Sequence, residues 1–152
     1  INIDDHILSL LQRPDIAKRI ESLEHVHFEV AEYSISLLSH APANRLLPLN
    51  VSLWLDDFGS GHAGIGAIRD YHFNYVKIDK EFFWHLIEKE HGRPLMQALI
   101  TFLSKNNHRV IIEGVENEEH QRWLSGMEWF AMQGFYWQEV SIEQLVREQV
   151  LV

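Results

Sequence analysis

Val51-Ser52-Leu53-Trp54-Leu55-Asp56-Asp57-Phe58-Gly59-Ser60-Gly61 is an apolar run that ends in two adjacent carboxylates and then a glycine-punctuated turn. Runs of this length, bounded by turn residues and rich in branched or aromatic side chains, read as buried strands. The same order repeats in both directions along the chain: short apolar run, polar or acidic cluster, helical pattern. That alternation is the signature of βα units around a parallel sheet. Upstream, Ile1–Asp4 reads as the end of a strand, Asp5 can cap a helix to about Gln12, and Pro14 restarts it toward Leu23. Val26–Ala31 is the next strand, followed by a helix near Ser34–His40 and a proline-punctuated loop to Asn50. Downstream, a helix from about Ala63 to Asp70 precedes a strand at Tyr75–Ile78. A long helical region, Glu81–Asn107, is interrupted around Gly92-Arg93-Pro94. Arg109–Ile112 is a strand, Glu118–Leu124 a short helix, the last strand lies near Ala131–Tyr136, and Ile142–Val150 is a closing helix. About six strands are predicted, each trailed by helix.

Composition narrows the function. A chain of 152 residues suits one domain spanning 1–152, and 46% hydrophobic with 23% charged residues is enough for a packed core. The balance 13 − 22 = −9 argues against a basic, DNA-binding face. The absence of cysteine excludes disulfides, Cys-ligated zinc, Fe–S clusters and thiol nucleophiles. No apolar run approaches a membrane span, and Ile1-Asn2-Ile3-Asp4-Asp5 does not resemble a signal peptide, so a soluble, cytoplasmic domain is expected.

In β/α barrels the chemistry sits at the C-terminal ends of the strands. The predicted strand ends carry Asn2, Glu29 with Glu32, Asp56 with Asp57, Lys77 with Asp79, Glu113 with Glu116, and Gln133. Helix capping explains single acidic residues at such places, but not their recurrence at one strand end after another. The alternation in Tyr75-Val76-Lys77-Ile78-Asp79 sends Tyr75, Lys77 and Asp79 to one face, where a lysine and an aspartate are costly unless paired or used. Adjacent Asp56 and Asp57 repel, so one is protonated unless a cation sits between them. Hard oxygen donors point to Mg²⁺ or Mn²⁺ rather than zinc.

Other features read as structure. Asp57-Phe58-Gly59 matches the kinase metal-binding tripeptide, but no accompanying glycine-rich loop exists. The ten histidines contain no HExxH, and His25 and His27 read as edge or surface residues. The five tryptophans are most simply packing residues. Gly59, Gly61 and Gly64 could cradle a phosphate at a helix N-terminus, with a plain turn as the default.

Five segments in order, Phe28-Glu29-Val30-Ala31-Glu32, Asp56-Asp57-Phe58-Gly59-Ser60-Gly61, Val76-Lys77-Ile78-Asp79, Glu113-Gly114-Val115-Glu116 and Gln133-Gly134-Phe135, resemble the motif set of EAL domains. These are cyclic-di-GMP-specific phosphodiesterases with a modified TIM-type (β/α) barrel. The spacings agree: 77 − 57 = 20, 113 − 77 = 36 and 133 − 113 = 20. The resemblance covers essentially the whole chain and is nearest to small stand-alone EAL proteins of enteric bacteria. It implies that Asn2, Glu29 and Asp56 bind one metal, with Asp56 bridging to a second held by Asp57 and Glu113. Lys77 would orient or activate the attacking water, and Glu32 would anchor the Asp57–His62 loop. Asp79 would contact a guanine, and Glu116 and Gln133 would complete the pocket wall. Two Mg²⁺ or Mn²⁺ ions per site would then support in-line hydrolysis of cyclic di-GMP to linear pGpG. They would also let a chain of charge −9 hold a dianionic dinucleotide.

Family members begin with two further strands, the second carrying a Glu-x-Leu-x-Arg segment that supplies a metal-binding glutamate and a phosphate-binding arginine. The expectation is therefore an incomplete barrel of about six of eight strands with an open edge. Trp137-Gln138-Glu139-Val140 also stands where a Ser-Lys-Pro type ending is usual. These 152 residues alone are expected to be inactive, with a homodimer or a complementing N-terminal segment covering the edge. The alternative is a degenerate EAL-like regulator that binds cyclic di-GMP or protein without catalysis. The missing glutamate favours it, and intact Asp56, Asp57, Lys77 and Glu113 oppose it.

Overall fold

Apolar residues at every second position give several of the apolar runs one dry face as strands. The computed structural model describes residues 1–11, 13–20, 26–38, 52–61, 64–141 and 143–144. The strands are β1 (Asn2–Ile3), β2 (His27–Ala31), β3 (Ser52–Phe58), β4 (Tyr75–Ile78), β5 (Arg109–Ile112) and β6 (Ala131–Met132). They form one sheet in the order β1-β2-β3-β4-β5-β6, every neighbouring pair parallel. Parallel neighbours in sequence order require a crossover after each strand, and helices supply it. These are α1 (Asp5–Leu11), α2 (Pro14–Ile20), α3 (Glu32–Leu38), α4 (Ile65–Asp70), α5 (Lys80–Ile87), α6 (Gly92–Lys105) and α7 (Glu118–Trp123). The sheet is open, an incomplete β/α barrel. No helix among the described residues is long and apolar enough to cross a membrane.

Register separates the two faces. Ile3, Val30, Leu55, Val76 and Val110 stand side by side, all buried, and pack under the helices. In α6, Met96, Ile100 and Leu103 recur at helical spacing on the face that meets this layer. The opposite row is Asn2, Glu29, Trp54, Tyr75 and Arg109. Its rings touch, with Trp54 and Tyr75 centroids 4.2 Å apart and the Arg109 guanidinium 5.4 Å from the Tyr75 ring. The sheet thus has an apolar side for stability and a polar side that leads toward the strand ends.

Several boundaries differ from the sequence reading. The last strand stops at Met132, because Gly134 backs directly onto the Val115 backbone and the chain turns there, the Tyr136 N–H donating to the Val115 carbonyl at 3.0 Å. The helical region divides at 88–91, ahead of Pro94, which sits in the first turn of α6 where no N–H donor is needed. α3 starts at Glu32, immediately after β2, and α4 at Ile65. Apart from Glu143 and Gln144, the closing helix Ile142–Val150 lies outside the described residues, as do the proline-punctuated loop, His25, and the helix ends placed at Gln12, Leu23, His40 and Ala63.

A Cβ added at Gly134 would collide with the Val115 backbone, whereas one at Gly66 inside α4 meets nothing within 4 Å. Gly134→Ala should therefore lower stability by about 1–3 kcal/mol. Gly66→Ala should raise it by about 0.5–1 kcal/mol. Thermal unfolding followed by circular dichroism measures both.

Candidate metal centre

The pairing of β3 with β4 slips near its end. Leu55 stands opposite Val76, but Phe58 stands opposite Ile78, so three steps on β3 face two on β4. This is a bulge at Asp56-Asp57. Strict alternation would send these two side chains to opposite faces of the sheet. Instead Asp57 adopts φ 57°, in the left-handed region that Asp tolerates better than most residues. As a result Asp56, Asp57 and Glu113 each place a carboxylate oxygen within 4.8 Å of the others.

Lys77 enters this group from β4. Its Nζ lies 2.8 Å from Asp56 Oδ1, 2.8 Å from Glu113 Oε1 and 3.4 Å from Glu29 Oε2. It does not pair with Asp79, the neighbour that alternation suggested. β4 ends at Ile78 and the chain turns into α5, so Asp79 becomes the cap of that helix, its Oδ1 accepting from the Phe82 N–H at 3.1 Å. The strand ends at Ile78, as expected from the sequence, and alternation does not carry past it to Asp79.

Four carboxylates (Glu29, Asp56, Asp57, Glu113) against one ammonium give −4 + 1 = −3. Burial, then the charges of Asp56 and Asp79, push the Asp57 carboxyl above its ordinary value. Burial also raises Glu113, against the pull of Lys77. For Lys77 itself, burial disfavours the charged form, but Asp56 and Glu113 overcome it and hold the ammonium more firmly protonated than usual. Asp56 Oδ1 is buried against the Lys77 ammonium, 2.8 Å away. An all-oxygen cluster with excess negative charge fits a hard divalent cation.

The loop after the bulge is tied down by Glu32. This fully buried carboxylate accepts from the Gly59 N–H (3.2 Å), the Ser60 hydroxyl (2.9 Å), the Gly61 N–H (3.3 Å) and the Gly64 N–H. Those glycine N–H groups, a phosphate cradle on one reading of the sequence, are therefore already engaged. Asn2 stands opposite Glu29 in register and is exposed. The side chains of Asn2, Asp79, Glu116 and Gln133 make no ion pair or hydrogen bond with the carboxylate group, and Glu29 reaches it only through Lys77.

Beside Glu113 a cavity of about 440 Å³ is lined by Lys80, Glu113, Glu116, Gln133, Phe135 and Glu139. Sequence reasoning gave no role to Lys80 or Phe135. Lys80 could have been found from its place at the first turn after a strand end, whereas the 81% exposure of Phe135 depends on the turn at Gly134.

Glu32→Ala would leave the loop donors without their buried acceptor and should cost about 3 kcal/mol. Faster amide hydrogen exchange at Gly59 and Gly61, with the β5 amides unchanged, is the accompanying signature.

The sequence profile described as the EAL domain matches residues 3–139. Cyclic di-GMP phosphodiesterase PdeH of Escherichia coli K12 is 34% identical over 137 residues, which are 90% of this chain and 53% of the relative. The chain thus spans about half the length of that relative. The solved structure of the EAL-like domain protein YdiV matches with TM-score 0.79 at 23% identity, over 97% of this chain and 64% of the other. A sequence relative of that name, the anti-FlhC(2)FlhD(4) factor of Salmonella arizonae, is 29% identical over 72% of this chain and 48% of its own. A manganese and cy-diGMP complex of Klebsiella pneumoniae BlrP1 matches with TM-score 0.72 at 23% identity, over 91% of this chain and 38% of the other. At such identities the structural likenesses carry the fold alone. With a profile match across nearly its whole length and a relative at 34% identity, the chain belongs to the EAL domain family.

Proposed function

We propose that the domain containing these residues hydrolyses cyclic di-GMP to linear pGpG with two Mg²⁺ or Mn²⁺ ions. The observation that carries this reading is the convergence of Asp56, Asp57 and Glu113, whose carboxylate oxygens lie within 4.8 Å of one another. Asn2, Glu29 and Asp56 would hold one ion; Asp56, Asp57 and Glu113 would hold the other. Bound there, the ions would supply positive charge to the phosphodiester oxygens and lower the pKa of the attacking water. The PdeH name and the BlrP1 complex support the substrate class and the metal requirement.

The chain's own groups have separable tasks. Lys77, held protonated by Asp56 and Glu113, acts as a donor that orients the water rather than as a base. Glu32 keeps the loop after Asp57 in place through the N–H groups of Gly59, Gly61 and Gly64 and the Ser60 hydroxyl. Asp79 spends Oδ1 on the α5 cap, which leaves Oδ2 to meet a guanine edge. Glu116 and Gln133 form the wall of the adjoining cavity. Among the described residues the edges of β1 and β6 are unpaired, and they offer pairing to a second copy or to a complementing segment.

A second reading, a regulator that binds without catalysis, is favoured by the likeness to the EAL-like YdiV. One experiment separates the two. The purified protein is titrated with Mn²⁺ while its thermal midpoint is followed, then given cyclic di-GMP, with pGpG read by chromatography. Mn²⁺ at about 100 times its dissociation constant should add about 2.7 kcal/mol. For a chain of this size that is roughly 5–10 °C. Asp57→Asn should remove the shift and lower any turnover by about 100-fold or more. These residues alone should turn over little or none, and a longer protein containing them should form pGpG. Binding of cyclic di-GMP by that longer protein with no pGpG would establish the second reading instead.

A further inference from the structure

Trp84 lies on α5, one turn beyond the Asp79 cap, and its indole N–H donates to the Gly114 carbonyl at 2.8 Å. Gly114 directly follows Glu113 and has φ 76°. A Cβ at Gly114 would lie 2.5 Å from Lys80 Cβ and 3.0 Å from Trp84 Nε1, so the loop backbone is pressed against the helix. The Lys80 ammonium sits 5.7 Å from the Trp84 ring centroid. From α7, His120 Nδ1 approaches the same carbonyl at 3.2 Å. The other loop of the centre also rests on α5, since a Cβ at Gly59 would come 2.7 Å from Phe82 Cδ1. One helical turn therefore braces both loops, the one after Asp56-Asp57 through Phe82 and the one after Glu113 through Trp84.

Glu113 lies past the last residue of β5, with its N–H on the Ile78 carbonyl. Beyond that bond the loop is held at Gly114, and at Val115, whose N–H donates to the Gln133 carbonyl at 3.0 Å. The Glu113 carboxylate is crowded by Asp56 and Asp57, which repel it. We propose that Trp84 is a positioning residue of the metal centre: its indole N–H, acting through the Gly114 carbonyl, sets where Glu113 stands relative to Asp56 and Asp57. This inference rests on the two-metal reading given above. A phenylalanine at this position would keep an aromatic ring against the loop and could not make the bond. Residues that hold metal ligands from behind, without touching the ion, commonly change affinity by 10–100-fold.

The test compares Trp84→Phe with Trp129→Phe. The second variant removes a similar indole bond, Trp129 to the Leu124 carbonyl at 3.2 Å, away from the centre. Mn²⁺ alone is titrated into each protein, with affinity and line shape read by electron paramagnetic resonance. Amide exchange at Val115 and Glu116 is read by NMR. Trp84→Phe should weaken Mn²⁺ about tenfold, alter the line shape and speed exchange at both amides, while Trp129→Phe changes none of these. Lowered thermal stability of Trp84→Phe with unchanged Mn²⁺ affinity and exchange would overturn the proposal. If the unsubstituted protein holds no Mn²⁺, the two-metal reading fails, and the exchange rates still decide whether Trp84 positions the Glu113 loop. Without any substitution, Mg²⁺ should slow exchange of the Trp84 indole N–H; an unaffected rate counts against the proposal.

Discussion

Lys77 brings one positive charge to a strand-end group of four carboxylates, and the geometry of the site end of the sheet depends on that charge. Without it, Glu29, Asp56 and Glu113 would repel one another across three strands, since partly buried like charges are weakly screened. With it, Asp56 and Glu113 are drawn in from β3 and the end of β5 toward β4 between them. The ammonium leaves the group at −3. On the reading proposed above, two divalent ions bring it to −3 + 4 = +1, a sign that attracts a phosphodiester instead of rejecting it.

The bulge at Asp56-Asp57 is the second requirement, and it has an energetic cost. A non-glycine residue at positive φ is held there only when its surroundings over-determine it. Here the over-determination is visible. Glu32 gathers the N–H groups of Gly59, Gly61 and Gly64 with the Ser60 hydroxyl, and Phe82 closes against Gly59. Apolar packing on the far face supplies the stability from which such strain is maintained, with Val30, Leu55, Val76 and Val110 all fully buried.

Much of the fold was legible because hydrophobic periodicity reports burial, and burial is what makes these strands. The run Leu53-Trp54-Leu55 followed by two aspartates locates a strand from local sequence alone, but not its end, since β3 runs on through both aspartates to Phe58. What was not legible depends on contacts between distant residues or on single dihedral angles. Periodicity says nothing of the φ at Asp57, so the turn that makes neighbouring carboxylates converge was invisible. The end of β4 at Ile78 made Asp79 a helix cap, because capping competes with strand extension for the same carboxylate. Glu32 meets glycines nearly thirty residues away, so their apparent availability for phosphate could not be judged from their spacing. The brief β6 and the Trp84 bond likewise depend on partners in other elements.

The central claim is that the carboxylates around Lys77 form a divalent-cation site. A crystal grown with Mn²⁺ and examined by anomalous scattering tests it most directly. The account predicts manganese peaks among Asp56, Asp57 and Glu113, with a second peak toward Glu29. Peaks only at other surfaces, with Lys77 still paired with Asp56 and Glu113, would contradict it.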